Sequence, residues 1–486
     1  MSIEYFDVVI VGAGLSGIGA AYHLQKKCPS KSYAILESRD SLGGTWDLFR
    51  YPGIRSDSDM HTLGYNFKPW RGTKAIADGK SILKYIRETA QENGIDKHIR
   101  YGESVKRASW SSKNAVWTIE TQNSGGIEAS FRCNFLLMCS GYYRYDEGYT
   151  PEFEGRDRFQ GKIVHPQHWQ QNLDYQDKRI IVIGSGATAV TLVPELAQDA
   201  EKVTMLQRSP SYVVSRPDED EIANLLRKFL PEKLAYAITR WKSIALQQFF
   251  YQRSRSEPKK IKQMLISMVR QELGADYDVE KHFTPSYNPW DQRLCLVPDS
   301  DLFLAIKSGK AEVVTDRINT FTEDGILLES GTELAADIIV TATGLNLLIL
   351  GGVEFFVDQK PIEFARTYTY KGVMYSDVPN LASISGYTNA SWTLRADLMS
   401  EYICRLIAYM DRQGFTQCTP RLRDEDLNMT DRPYIEGFSS GYIQRVLHLL
   451  PKQGDRLPWL NLQNYQQDKK NLLKSAIEDG VLTFES

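Results

Sequence analysis

An α/β fold is predicted, with two Rossmann-like domains of the three-layer ββα/βαβ type and a helical insertion in the second. Three observations predict it. The run Asp7-Val-Val-Ile-Val-Gly12 is short, apolar and β-branched, stops at glycines, and passes into helical apolar spacing through Ile18, Ala21 and Leu24. That is the strand, tight turn and helix that open a βαβ unit. The pattern recurs at Arg179-Ile-Ile-Val-Ile-Gly184, followed by Val190, Leu192, Val193 and Leu196, about one domain length further on. Between Ile222 and Leu273 there is no glycine, and Leu225, Leu226, Phe229, Ile244, Leu246, Phe249 and Phe250 keep helical spacing, which reads as an inserted helical segment.

The remaining elements complete the two domains. Ala115-Val-Trp-Thr-Ile119 and Phe135-Leu-Leu-Met-Cys139 read as strands of the first, and Ile338-Ile-Val-Thr341 as a strand ending toward Gly344. The chain is expected to leave the first domain, build the second and return. Residues 1–145 and 346–486 would form the first, 146–215 and 286–345 the second, and 216–285 the insertion.

At 486 residues the chain suits two or three domains. Hydrophobic residues at 42% and charged residues at 24% are globular values. A formal charge of −3, from 58 basic and 61 acidic residues, leaves no field to hold nucleic acid. Cys28, Cys133, Cys139, Cys295, Cys404 and Cys418 include no C-x-x-C pair and no zinc spacing. Reduced thiols, a cytoplasmic setting and no metal site are therefore expected. The start, Met-Ser-Ile-Glu-Tyr-Phe-Asp7, carries acids where an export signal needs bases. The apolar stretch from Ile338 to Val353 is broken by Thr, Asn and Gly, short of the roughly 18 residues of a membrane span.

Gly12-Ala-Gly14-Leu-Ser-Gly17 is a full G-x-G-x-x-G between a strand and a helix, so backbone can approach a pyrophosphate at the helix N-terminus. Glu37 closes the next strand about 20 residues on, where an acid binds ribose hydroxyls. The second loop, Gly184-Ser-Gly186-Ala187-Thr188-Ala189, has the G-x-G-x-x-A form, and its following strand ends at Arg208-Ser209 with no acid. A cation there favours a 2′-phosphate. Opposite selectors fit FAD in the first domain and NADPH in the second, because a flavin needs an electron donor. Disulfide reductases of similar layout need a redox cysteine pair beside the flavin. With none here, molecular oxygen is the remaining common acceptor.

Two longer patterns carry a family resemblance. Phe159-Gln-Gly161-Lys-Ile-Val-His165-Pro-Gln-His168-Trp169 reads F-x-G-x-x-x-H-x-x-x-W; Gly43-Gly44-Thr45-Trp46 runs through Tyr51-Pro52-Gly53 to Asp57. Together they resemble both fingerprints of the Baeyer–Villiger monooxygenases, and Ala342-Thr-Gly344 resembles that family's strand end at the return to the FAD domain. Tyr287-Asn-Pro-Trp-Asp-Gln-Arg-Leu-Cys295 and Gly386-Tyr-Thr-Asn-Ala-Ser-Trp392 look like the branch containing ethionamide-activating monooxygenases. The resemblance implies insertion of one oxygen atom of O2 beside a ketone carbonyl, through a flavin peroxide, to give an ester or lactone. It also implies oxidation of thioether or thioamide sulfur. Substrates would thus be small ketones or sulfides together with molecular oxygen.

By the same resemblance Arg293 matches the active-site arginine and Asp57 its acidic partner, while Gly44, Thr45 and Trp46 belong to the FAD-side fingerprint. Gln292 stands where many members have Lys. His165 invites an acid–base reading, but in a linker between two domains it and Trp169 are expected to lock the linker, with Gly161 as hinge. Trp46 and Tyr51 are either core aromatics or part of a loop along the flavin ring. The alternative enzyme is a flavin-containing monooxygenase acting on nitrogen or sulfur only; that relative usually ends the linker motif with Tyr or Phe, not Trp169. The insertion carries eleven Lys or Arg between Arg227 and Arg270 against two acids, Glu232 and Glu257. Basic amphipathic helices of this kind lie on anionic membranes; a solvated cap over the second domain is the favoured reading.

Overall fold

The computed structural model describes residues 3–486. The strand Glu4–Val11 lies between two parallel partners, Tyr33–Glu37 and Glu128–Met138. From Val8 to Val11 it is buried on both faces, which explains the unbroken apolar run there. Val8 and Ile10 point into a core shared with helices Leu15–Lys27 and Trp392–Gln413. Val9 and Val11 point the other way, onto Trp110 and Trp117. Those tryptophans stand on the antiparallel strands Ser104–Ser111 and Val116–Gln122, which continue the sheet beyond Glu128–Met138. Residues from the far end of the chain finish this unit. Glu354–Val357 adds to Ser104–Ser111, Leu381–Ser383 adds to Glu128–Met138, and Trp392–Gln413 packs along Leu15–Lys27.

A second, wholly parallel sheet runs in the order Ala311–Thr315, Lys202–Gln207, Arg179–Ile183, Ile338–Thr341, Lys162–Val164. Its central strand divides its side chains in the same way: Ile180 and Val182 face one core, Ile181 and Ile183 another. Residues 162–164 reach this sheet before its glycine loop, and residues 338–341 close it, so both crossings between the units occur at one side.

The insertion consists of helices Glu221–Phe229, Glu232–Ser256, Pro258–Leu273 and Val279–Phe283. Its position corrects the expectation of a cap over the second domain, because it bridges both units. Ile266 and Val269 enter the second core, while Tyr236 on the long helix enters the first. Arg240, 5% exposed, donates to the carbonyls of His61 (2.9 Å) and Gly64 (2.7 Å). A buried guanidinium satisfied by backbone carbonyls fixes that helix to the first unit, since removing those acceptors would strand a buried charge.

Candidate active site

The three glycines of the first loop do different work. An added Cβ would stand 2.6 Å from the Cys139 carbonyl oxygen at Gly12 and 1.9 Å from the Gly12 oxygen at Gly17. Both are demanded by the protein's own packing. At Gly14, the N-cap of Leu15–Lys27 with φ −80° and ψ −168°, the nearest atoms are the Gly44 backbone at 3.5 and 3.9 Å. That backbone suits any residue, so the small side there serves the open space beside the helix N-terminus. Glu37 is 5% exposed, and its carboxylate accepts from the backbone N–H of Ala13 (2.8 Å) and Arg39 (3.0 Å). Burial raises its pKa, and those hydrogen bonds offset part of the shift. It holds the glycine loop as well as lining the cleft.

Gly44 faces Gly14 and opens the helix Thr45–Leu48. Thr45 and Tyr145 both line the cleft. Trp46 packs on the first core and lines the cleft. The loop is anchored by Asp47, which sequence reasoning missed. It is 1% exposed and takes Ser41 (2.5 Å), Arg39 (2.8 Å) and Arg87 (3.2 Å). Tyr51 turns instead toward the second unit, packing on its core, with burial pushing its pKa up to about 12. Gly53 lies against Thr191 and Glu195 of the helix Ala187–Leu196. The Tyr51-Pro-Gly53 segment therefore sits where the two units meet.

The second loop repeats the division of labour. A Cβ on Gly184 would meet the Ala342 oxygen at 2.4 Å, whereas nothing lies within 4 Å of one on Gly186. Gly186 caps the helix Ala187–Leu196, leaving Ala187 exposed and Thr188 half-buried at its open end. Arg208 and Ser209 are exposed at the end of the neighbouring strand, and Arg208 has no ion-pair partner among the described residues. The Ser209 carbonyl accepts from the Ser185 hydroxyl at 3.0 Å.

Both loops open on one cleft of about 1520 Å³, lined by Gly14, Glu37, Trp46, Asp57, Gly186, Arg208 and Arg293 among others. Arg293 Nε donates to Asp57 Oδ2 at 2.8 Å, and its Nη1 donates to the Thr388 carbonyl at 3.1 Å. Both members of the pair keep 30% of their side-chain surface exposed, so the charge faces the cleft. Burial opposes the charge on Arg293, but the Asp57 carboxylate outweighs it and pushes the pKa above the ordinary arginine value. Thr388 is itself held: its N–H and hydroxyl donate to Gln463 Oε1 at 3.0 and 3.2 Å. Tyr142 stacks on Trp392 (5.2 Å between centroids), and Trp392 Nε1 donates to Ser16 at 2.8 Å. Thr388 and Trp392 fall within the segment from Gly386 to Trp392 that carried the resemblance, yet nothing in its spacing marks them as cleft residues.

His165 is not part of this wall. Its Nδ1 accepts from the Gln167 N–H (3.2 Å), which leaves Nε2–H to donate to the Gly344 carbonyl (3.3 Å). Burial lowers its pKa. A neutral imidazole tied at both nitrogens joins the linker to the return crossing at Gly344. Trp169 packs on the second core and His168 is exposed.

Residues 74–378 match the model of the flavin-binding monooxygenase-like family, and residues 10–71 match that of an NAD(P)-binding Rossmann-like domain. The chain is 55% identical over 482 residues to the FAD-containing monooxygenase EthA of Mycobacterium tuberculosis, covering 99% of this chain and 98% of the relative. It is 47% identical over 483 residues to the probable FAD-binding monooxygenase AlmA of Acinetobacter baylyi, covering 99% and 96%. Among solved structures, the oxidized steroid monooxygenase bound to NADP aligns over 99% of this chain and 100% of that one, with TM-score 0.78 and 21% identity. The open form of cyclohexanone monooxygenase aligns over the same shares with TM-score 0.76 and 18% identity; at such identities the likeness concerns the fold. A family model spanning most of the sequence, together with relatives aligned from end to end, means that this chain belongs to the flavin-binding monooxygenase-like family.

Proposed function

We propose that the chain is an FAD- and NADPH-dependent monooxygenase that places one atom of O2 beside a ketone carbonyl, giving an ester or lactone, and also oxidises thioether or thioamide sulfur. The observation that carries this reading is the Arg293–Asp57 pair facing the cleft on which both glycine loops open. Residues 1–145 and 346–486 would hold FAD, 146–215 and 286–345 NADPH, with 216–285 inserted. The cradle suits FAD: Gly14 and Gly44 leave room for a pyrophosphate, with Gly12, Gly17, Thr45 and Trp46 shaping the loops and Glu37 reaching the ribose. Gly184, Gly186, Ala187 and Thr188 would take the second pyrophosphate at a helix N-terminus. Bound FAD, reduced by NADPH, supplies the electrons that activate O2.

The protein's own residues supply charge and geometry. Arg293 offers a fixed cation to the negative charge that develops on the carbonyl oxygen of a ketone under attack. Asp57 and the Thr388 carbonyl set the guanidinium plane, so little reorganisation accompanies the reaction.

Incubation with NADPH, 18O2, a cyclic ketone and an aryl methyl sulfide tests the reading. Lactone and sulfoxide are both expected, each carrying one labelled oxygen. Sulfoxide alone would move the assignment to a monooxygenase of nitrogen and sulfur only. NADPH is expected to bind more tightly than NADH through Arg208, with Ser209 as a second contact to the 2′-phosphate. A charge-assisted hydrogen bond of this kind contributes roughly 1.5 to 3 kcal/mol, or about 10-fold to 150-fold. Arg208→Ala should therefore erase most of the preference, read as the ratio of kcat/KM for the two donors. An unchanged ratio would move the selector elsewhere.

A further inference from the structure

The helical insertion carries an apolar face that nothing in the fold covers. Ten of the eighteen exposed large apolar side chains lie on the insertion, seven of them on its first two helices within this face, so the exposure is concentrated rather than scattered. A surface helix normally buries its one apolar stripe; the helix Glu232–Ser256 has two. Ala235, Tyr236, Thr239, Arg240 and Ser243 form the buried one. On the opposite side Leu234, Ile238, Trp241, Ala245 and Phe249 fall within roughly 80° of the circumference at 3.6 residues per turn. Trp241 is 68% exposed and Phe249 63%. The preceding helix, Glu221–Phe229, adds Ile222, Leu225 and Phe229, the last 77% exposed. This extends the patch well beyond scattered surface hydrophobics.

From Arg227 to Arg270 the charge is positive, whereas Glu219 and Glu221, exposed and in no ion pair among the described residues, flank Ile222 at the start of the preceding helix. The two acids between Arg227 and Arg270 are already neutralised, Glu232 by Arg71 and Glu257 by Arg253 and Lys260. Lys228 and Lys233, which directly precede Phe229 and Leu234, are exposed and in no ion pair among the described residues. Exposed Trp, Phe and Leu flanked by lysines is the composition of a helix lying in a bilayer interface. Lysine is depleted in protein–protein interfaces, whereas lipid phosphates attract it. No helix among the described residues is long and apolar enough to cross a membrane, so contact would be from one side.

We propose that the insertion seats this enzyme on an anionic lipid bilayer. Phe229, Leu234, Trp241 and Phe249 enter the boundary of the acyl chains, and Lys228 and Lys233 meet the headgroup phosphates. Arg240 and Tyr236 couple that seat rigidly to the first unit. The test is sedimentation of the full flavin-loaded protein with vesicles of phosphatidylcholine alone or mixed equally with phosphatidylglycerol. Wild type is expected to pellet with the mixed vesicles and to be released by salt. Trp241→Glu and Phe249→Glu should each lower the partition about 10-fold or more, and Lys228→Glu with Lys233→Glu should remove the preference for phosphatidylglycerol. None of the four lines the cleft, so NADPH oxidation by the variants reports that they are folded. Failure of wild type to pellet, or pelleting that Trp241→Glu and Phe249→Glu leave unchanged, overturns the proposal. So does a dimer in velocity sedimentation that these two substitutions disperse, since a second copy would then cover the stripe.

Discussion

Arg293→Ala is expected to keep its flavin and to lose ester formation. Removing one donor aimed at a developing oxyanion costs about 100-fold to 1,000-fold in rate, and here a full charge goes with it. The guanidinium is held at two points, by Asp57 at 2.8 Å and the Thr388 carbonyl at 3.1 Å. Flavin binding should survive, since Gly12, Gly14, Glu37 and Gly44 belong to the other wall. Reduction by NADPH should slow without vanishing. Asp57→Ala should be impaired in the same direction and less severely, its cation still tied to Thr388. The measurement is a single turnover: the flavin is reduced without oxygen, mixed with oxygenated buffer and ketone, and the ester quantified. Wild-type yield from Arg293→Ala would remove this residue from the chemistry.

Gly14→Val is expected to give folded, colourless protein. The backbone at Gly14 is extended, with φ −80° and ψ −168°, so valine fits the dihedral angles. Its Cβ stands 3.5 Å from the Gly44 Cα, an ordinary contact, and the branched methyls project into the space kept for the pyrophosphate. Gly17→Ala provides the contrast, because its Cβ would lie 1.9 Å from the Gly12 oxygen, where the strand–helix packing itself must give way. The expected pair of results is therefore a normal circular dichroism spectrum without flavin absorbance for Gly14→Val, and lost helix or insoluble protein for Gly17→Ala. A full flavin spectrum in Gly14→Val would relocate the first cofactor site.

By itself the sequence determined the two strand–glycine–helix openings. Those depend on local chemistry: β-branched runs buried on both faces, and glycines at turns where a side chain would strike backbone within the same unit. It also marked Arg293 and Asp57, though only through the longer patterns around them, since an arginine and an aspartate 236 positions apart share no local periodicity. What tertiary structure alone decided are the relations between distant segments. Thr388 and Gln463 became supports of Arg293 because the chain returns to the first sheet after building the second. Asp47 became an anchor because Arg39, Ser41 and Arg87 converge on it. The insertion, legible as helical and basic, was placed across both units because Arg240 finds its acceptors at His61 and Gly64. Apolar spacing shows that a helix has a face to bury; which face the fold covers, and which it leaves to solvent, depends on what the rest of the chain brings alongside.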